Sequence, residues 1–212
     1  MSVNQISSYN TNEMLIQNLM KVKDVSHEKE MMGAISTAMD SVSLSFVGKN
    51  FADYHETLRS EGSQEALEGL RQMAIHLTET PNSQLAMDFS NIMQTRQAEE
   101  GFLTNFFTAV HEIEDSGNRM GTWLKTFSSL DTASNQDGFI NTTRDILSME
   151  GEREDLSKIF NDFVNTTGTI INKFEDEALR QETLEDFFTG LSGRETLEAY
   201  GEGIKNFREN ME

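Results

Sequence analysis

The sequence predicts an all-α protein, an irregular multi-helix bundle of about eight to ten helices with a mobile N-terminus. Three observations lead there. The stretch Glu154–Leu179 sets Leu156, Phe160, Phe163, Thr167, Ile170 and Phe174 every three or four residues, flanked by Ile159, Val164 and Ile171. A period near 3.6 puts these side chains on one side of a helix, in a stripe wide enough for a buried face in a bundle. The chain has a single proline, Pro81, and its glycines lie mostly between periodic runs. The one competing strand signal, the alternating run 41–46, also reads at helical steps through Met32, Ile35, Met39, Val42 and Phe46.

Residues 1–12 are rich in Ser, Asn, Gln and Thr and carry few apolar anchors, which predicts a mobile start. Met14, Leu15, Ile16, Leu19, Met20 and Val22 then form a short amphipathic helix, either docked on the body or ordered on a partner. A second helix begins near Ser26 and runs through Val42, with Gly48 as the expected break. Phe51, Tyr54 and Leu58 mark a short helix ended by Gly62. Ser63 caps the next, whose face is Leu67, Leu70, Ala74 and Leu77. Thr80-Pro81 is a start signal, a cap followed by proline at the first helical position.

From Pro81 the apolar phase passes through Leu85, Phe89 and Ile92, across polar Arg96 and Glu99, to Leu103, Phe106, Val110 and Ile113. Because the phase carries through, one helix with an exposed middle is expected; the alternative is two helices parted near Ala98 to Gly101. Gly117 closes this run, and Met120, Trp123, Leu124, Phe127 and Leu130 form the next, with the only tryptophan at a packing junction. Asp131–Gly138 reads as a loop and a boundary between two halves; Phe139, Ile140, Ile146 and Leu147 follow as a helix.

The central stretch contains its own conflict. Asn165-Thr166-Thr167-Gly168-Thr169 is poor helix material, glycine costing about 1 kcal/mol and each threonine about half that. Each apolar side chain buried contributes about 1.5–3 kcal/mol, so burial wins given partner helices. One long helix over 154–179 is expected, kinked or weak near Gly168. Leu184, Phe187, Phe188 and Leu191 then make a short helix closed by Gly190–Gly193. Ser192-Gly193-Arg194-Glu195 has capping-box spacing, and the last helix carries Leu197, Tyr200, Ile204 and Phe207, weakened by Gly201 and Gly203. The expected organisation is therefore a flexible segment over 1–25 and a helical domain over 26–212, either whole or as two subdomains divided at 131–138.

The motifs that carry chemistry are weak here. Asn135-Gln136-Asp137-Gly138 is similar to the middle of a calcium loop, but with Gly138 at the sixth position Ala133 and Arg144 replace both terminal ligands. His111-Glu112-Ile113-Glu114-Asp115 begins like a zinc-protease helix and lacks the second histidine. His27, His55 and His76 have no ligand-spaced partners beyond Asp24 before His27. Asn141-Thr142-Thr143 and Asn165-Thr166-Thr167 fit the glycosylation pattern but fall within helices. The segments Phe139–Thr143 and Phe163–Thr167 also resemble each other, each with an apolar pair following. Glu152, Glu154 and Asp155 favour the positive end of the central helix. Neither a catalytic residue nor a cofactor or metal is expected.

A net charge of −19 argues against nucleic acid and against anionic membrane surfaces. No apolar run is long enough for a spanning helix, so no membrane insertion is expected. The start lacks the pattern of a cleaved secretory signal, which points to the cytoplasm or to export without one. Zero cysteine removes disulfides, thiolate metal sites and cysteine catalysis together. Phenylalanine (14) and methionine (12) serve as core filling or, in the sharper reading, as an adaptable groove for a partner helix.

Acidic, cysteine-free and rich in Ser, Asn, Gln and Thr, the chain is similar in composition to helical proteins of bacterial flagella and related export systems. Met1–Val22 is similar in kind to their mobile amphipathic N-termini. The leading expectation is a non-catalytic helical interaction or structural protein, one version serving secretion or appendage assembly. Its partner is another protein, bound through Met14, Leu15, Leu19 and Met20 or through a Met/Phe groove. The alternative is a helical enzyme or small-molecule carrier with a pocket inside the bundle. The first predicts an exposed apolar strip; the second predicts polar groups such as His76 or His111 converging on a cavity.

Overall fold

The computed structural model describes residues 46–79, 83–118 and 120–211. The N-terminus expected to be mobile, the helix expected from Ser26, the expected Thr80-Pro81 start signal and Met14, Leu15, Leu19 and Met20, expected to bind the partner, lie outside them. Among the described residues there are nine α-helices and no strand. They are α1 (Phe46–Glu61), α2 (Gln64–Glu79), α3 (Ser83–Arg96), α4 (Phe102–Asp115), α5 (Met120–Phe127), α6 (Ala133–Leu147), α7 (Arg153–Lys173), α8 (Glu177–Leu191) and α9 (Leu197–Met211). The chain divides into two compact units, the first ending at Thr108 and the second running from Ala109 to Glu212. The division falls inside α4.

In the first unit, Gly48 does not break the chain but lies within α1. The expected stop comes at Gly62, whose φ of +75° suits glycine and whose N–H donates to the Leu58 and Arg59 carbonyls. Ser63 caps α2, its Oγ accepting from the Ala66 N–H at 3.3 Å. α1 and α2 pack together and bury Tyr54, Leu58, Ala66, Leu67, Leu70 and Met73. Phe51, Tyr54, Phe89, Phe106 and Phe107 join in one set of ring contacts, 5.1–6.4 Å between centroids.

The run from Pro81 is two helices. Residues 97–101 form the turn between α3 and α4, with Gly101 at φ +74°. Arg96 is buried, donates to Glu99 at 2.6 Å and lies 4.0 Å over the Phe102 ring. That bond holds the Glu99 carboxyl below its usual range. Arg96 and Glu99, expected as the exposed middle of one helix, thus fasten a corner. Within the first unit the two helices still share apolar packing, Phe89 of α3 and Phe106 of α4 meeting with ring centroids 5.6 Å apart.

The Tyr54 hydroxyl is buried in that core with no hydrogen-bond partner among the described residues. A buried, unpaired hydroxyl forfeits its hydration, a penalty of about 1–3 kcal/mol that disappears with the group. Tyr54→Phe is therefore expected to raise the urea midpoint, by about 1 kcal/mol in unfolding free energy. A midpoint at or below that of the parent chain would show that the hydroxyl is satisfied.

The second unit is built on α7, which packs against α5, α6, α8 and α9. α4 ends as the sequence predicts, at Gly117 (φ +74°). The Asn118 N–H bonds to the Ile113 carbonyl and the Gly117 N–H to that of Glu114, the Schellman pattern. Trp123 is fully buried, stacks on Phe127 and Phe139, and donates its indole N–H to Thr143 Oγ1 at 2.9 Å. From there Phe139 meets Phe163, Phe163 meets Phe187 and Phe187 meets Phe207, a line of rings crossing from α5 to α9. The similar segments at Phe139 and Phe163 thus face each other, their rings 5.2 Å apart with Thr143 and Thr167 fully buried.

Asp131–Gly138 is mostly helix rather than loop. Thr132 caps α6 by accepting from the Asn135 N–H, and Ala133 is its first residue. Asn135 and Gln136 are buried, donating to the Gln181 and Leu130 carbonyls. This segment, expected as a division between subdomains, therefore lies inside the second compact unit. α7 passes unbroken through Gly168 but stops at Lys173, not Leu179. Thr166, Thr167 and Thr169 each return a hydroxyl bond to the carbonyl four residues back, so the poor helix formers leave no hydroxyl unsatisfied. Asp176 then caps α8 through the Leu179 N–H. The expected capping box at Ser192 is displaced as well: Ser192 closes α8, and Thr196 caps α9 through the Ala199 N–H at 3.2 Å.

Candidate functional site

Helices α6 to α9 follow one another through short turns. α7 and α9 run parallel, side by side, with residue pairs in step along both. A Cβ on Gly151 would stand 2.9 Å from Leu197, and one on Gly201 would stand 3.3 Å from Ile159. Further along, Asp162 pairs with Arg208 at 3.7 Å and Lys173 donates to the Met211 carbonyl. The seam between these helices opens to a surface groove of about 850 Å³. Its apolar lining is half-buried Ile159 with Leu197 and Ile204 buried beneath, and Gly201 lies close against Ile159. Leu197, Gly201 and Ile204 repeat at helical spacing on α9, so one face of that helix provides the opening.

The rim is charged, and its charge is uneven. Toward the far end Asp162 is neutralised by Arg208, and Glu209 by Lys205 at 3.8 Å. Toward the Gly151–Leu197 end stand Glu150, Asp155, Glu198 and Glu202, beside Lys158. The dipoles of α7 and α9 account for Asp155 and Glu198, which sit in first turns. Glu202 lies beyond that turn, where the dipole has fallen off, and Glu150 precedes α7.

No protein-family model, curated protein or solved structure matches this chain.

The sequence reading names none of the groove residues as a site. One signal for it exists. Gly201, read from sequence as a weak point of the last helix, lies in an unbroken α9 and faces Ile159. A glycine inside a helical pattern marks a close approach. The carboxylates of the rim carry no such signal among so many others. The expected exposed apolar strip is absent from the described residues, among which Leu179, 46 % exposed, is the only exposed large apolar side chain. The apolar side chains lining the groove are Ile159, half-buried, and Leu197 and Ile204, both buried. The histidines go elsewhere: His76 lies on α2 and His111 on α4, and neither lines the groove. Asn135 and Gln136, the centre of the loop that resembles a calcium site, spend their amides on backbone carbonyls. Among the described residues no three His, Asp or Glu side chains gather as a metal-holding group.

Tyr200 ties α9 to α6. Its buried hydroxyl donates to Asp145 on α6 at 3.3 Å. Burial, then the Asp145 carboxylate, pushes its pKa up to about 12. Burial, with Asp53 adding to it, pushes Tyr54 up to about 12 as well. Raised pKa values mean that folding favours the protonated phenols. Their contribution is complete below the unfolded value of 10.0 and is lost as pH rises through about 12. Urea midpoints are therefore expected to hold to about pH 10 and fall between about 10 and 12, with Tyr54→Phe removing part of the fall. A flat profile across that window would contradict the burial of both phenols.

Proposed function

We propose that this is a non-catalytic helical protein that acts by binding another protein, with the α7–α9 groove as its docking surface. The observation that carries this reading is the groove itself. It pairs an apolar floor of Ile159, Leu197 and Ile204 with a charged rim, and it is open along two parallel helices. Such a seam accepts a helix laid along it, with anchors at helical spacing seated on the floor. No helix among the described residues is long and apolar enough to cross a membrane. Work in secretion or appendage assembly is the version of this role that composition favours. A pocket-bearing enzyme or carrier remains the second reading, but no observation in the groove favours it.

The test is affinity capture from lysate of the native host, read by mass spectrometry. Three baits are compared: the full chain, its Gly201→Leu variant, and a chain lacking residues 1–23. A dominant partner kept by the truncated chain and lost by Gly201→Leu supports the groove. A partner lost only on truncation moves recognition to the segment containing Met14, Leu15, Leu19 and Met20. A partner captured equally by all three removes both surfaces.

A further inference from the structure

From the charge of the groove we infer the chemistry of its occupant: an amphipathic helix that lays apolar side chains on the floor and Lys or Arg on the rim. This rests on the docking role proposed above. Four rim carboxylates, Glu150, Asp155, Glu198 and Glu202, form no ion pair among the described residues, whereas Asp162 and Glu209 have Arg208 and Lys205. The excess is concentrated at the Gly151–Leu197 end, so the occupant's cations belong at the end of its helix seated there. The groove follows α9 from Leu197 to Glu209, about 18 Å at 1.5 Å per residue, which fits an occupant of about three turns. The stripe Leu197, Gly201, Ile204 sets the anchor spacing. An acidic helix of the same apolar face would meet the four carboxylates with like charge and be rejected, which is how the groove discriminates.

The experiment is fluorescence anisotropy on the full chain with two labelled helical peptides of about 14 residues. Both carry Leu at the anchor positions; one has Lys and Arg on its polar face, the other Glu. The basic peptide is expected to bind at least about tenfold more tightly and to weaken as salt is raised. Removing two rim charges, Glu198→Gln with Glu202→Gln, is expected to weaken it about threefold or more. The same charge change on α8, Glu182→Gln with Glu185→Gln, is expected to leave it unchanged. Gly201→Leu, which raises the floor, is expected to abolish binding, and the rim variants serve if that chain fails to fold. Equal binding of both peptides, or equal weakening by the α8 changes, would overturn the inference as general attraction to an acidic protein. Should neither peptide bind while Gly201→Leu still loses the captured partner, the docking role stands and the basic occupant falls. If capture is indifferent to Gly201→Leu, the docking role itself falls.

Discussion

Replacing Phe163 by alanine is expected to destabilise the second unit by about 3–5 kcal/mol. Phe163 is fully buried at the middle of α7, its ring 5.2 Å from Phe139, 5.9 Å from Phe187 and 6.1 Å from Phe188. Truncation removes a large apolar side chain and leaves a cavity walled by rings on α6 and α8. These rings are wedged against one another and against Trp123 and Phe207, so the site has little freedom to collapse. Domain stabilities of about 5–15 kcal/mol leave little after such a loss. Urea unfolding followed by circular dichroism should show a greatly lowered midpoint or no cooperative transition. Leu179→Ala, at an exposed position of α8, is expected to stay within about 0.5 kcal/mol of the parent chain. Similar losses at both positions would mean that α7 is not the centre of packing.

Alanine at two glycines should give opposite signs. A Cβ on Gly138 would stand 2.7 Å from Phe188 Cδ2 and 3.0 Å from its Cβ and Cγ. The Phe188 Cβ is tied to the backbone of α8, so a rotamer change does not relieve the clash; α6 and α8 must part. Overpacking of that kind costs about 1–3 kcal/mol, against about 1 kcal/mol regained in helix propensity. Gly138→Ala is therefore expected to lose about 1 kcal/mol net. At Gly168 an added Cβ meets nothing within 4 Å, and the residue sits inside α7. Only the propensity term survives there, and Gly168→Ala is expected to gain about 0.5–1 kcal/mol. A gain at Gly138 would mean that the helices do not approach as closely as described, and a loss at Gly168 would reveal a contact on that face.

The same pair of glycines shows what sequence makes legible. Periodicity finds α7 and its neighbours because burial on one face leaves its mark every three or four residues. Gly62, Gly117 and Ser63 announce themselves because their role is local: a left-handed backbone, or a hydroxyl capping the next turn. Asn135, Gln136, Asp137 and Gly138 mislead because their helical state is decided from outside. Asn135 and Gln136 find backbone carbonyls at Gln181 and Leu130, and Gly138 admits Phe188. Arg96 and Glu99 mislead for a related reason, since polarity predicts solvent and Arg96 is buried over Phe102. The groove is less legible still. It arises from two helices far apart in sequence that run parallel, and its acidic rim is drawn from a chain with 36 Asp and Glu residues.

Hydrogen–deuterium exchange of the full chain, alone and bound to the captured partner, tests most directly whether a partner helix occupies the seam between α7 and α9. Slowed exchange is expected in residues 150–162 and 197–209 alone, with the amides of α8 unchanged. Protection that leaves both of those segments unaltered and appears elsewhere in the chain would contradict it.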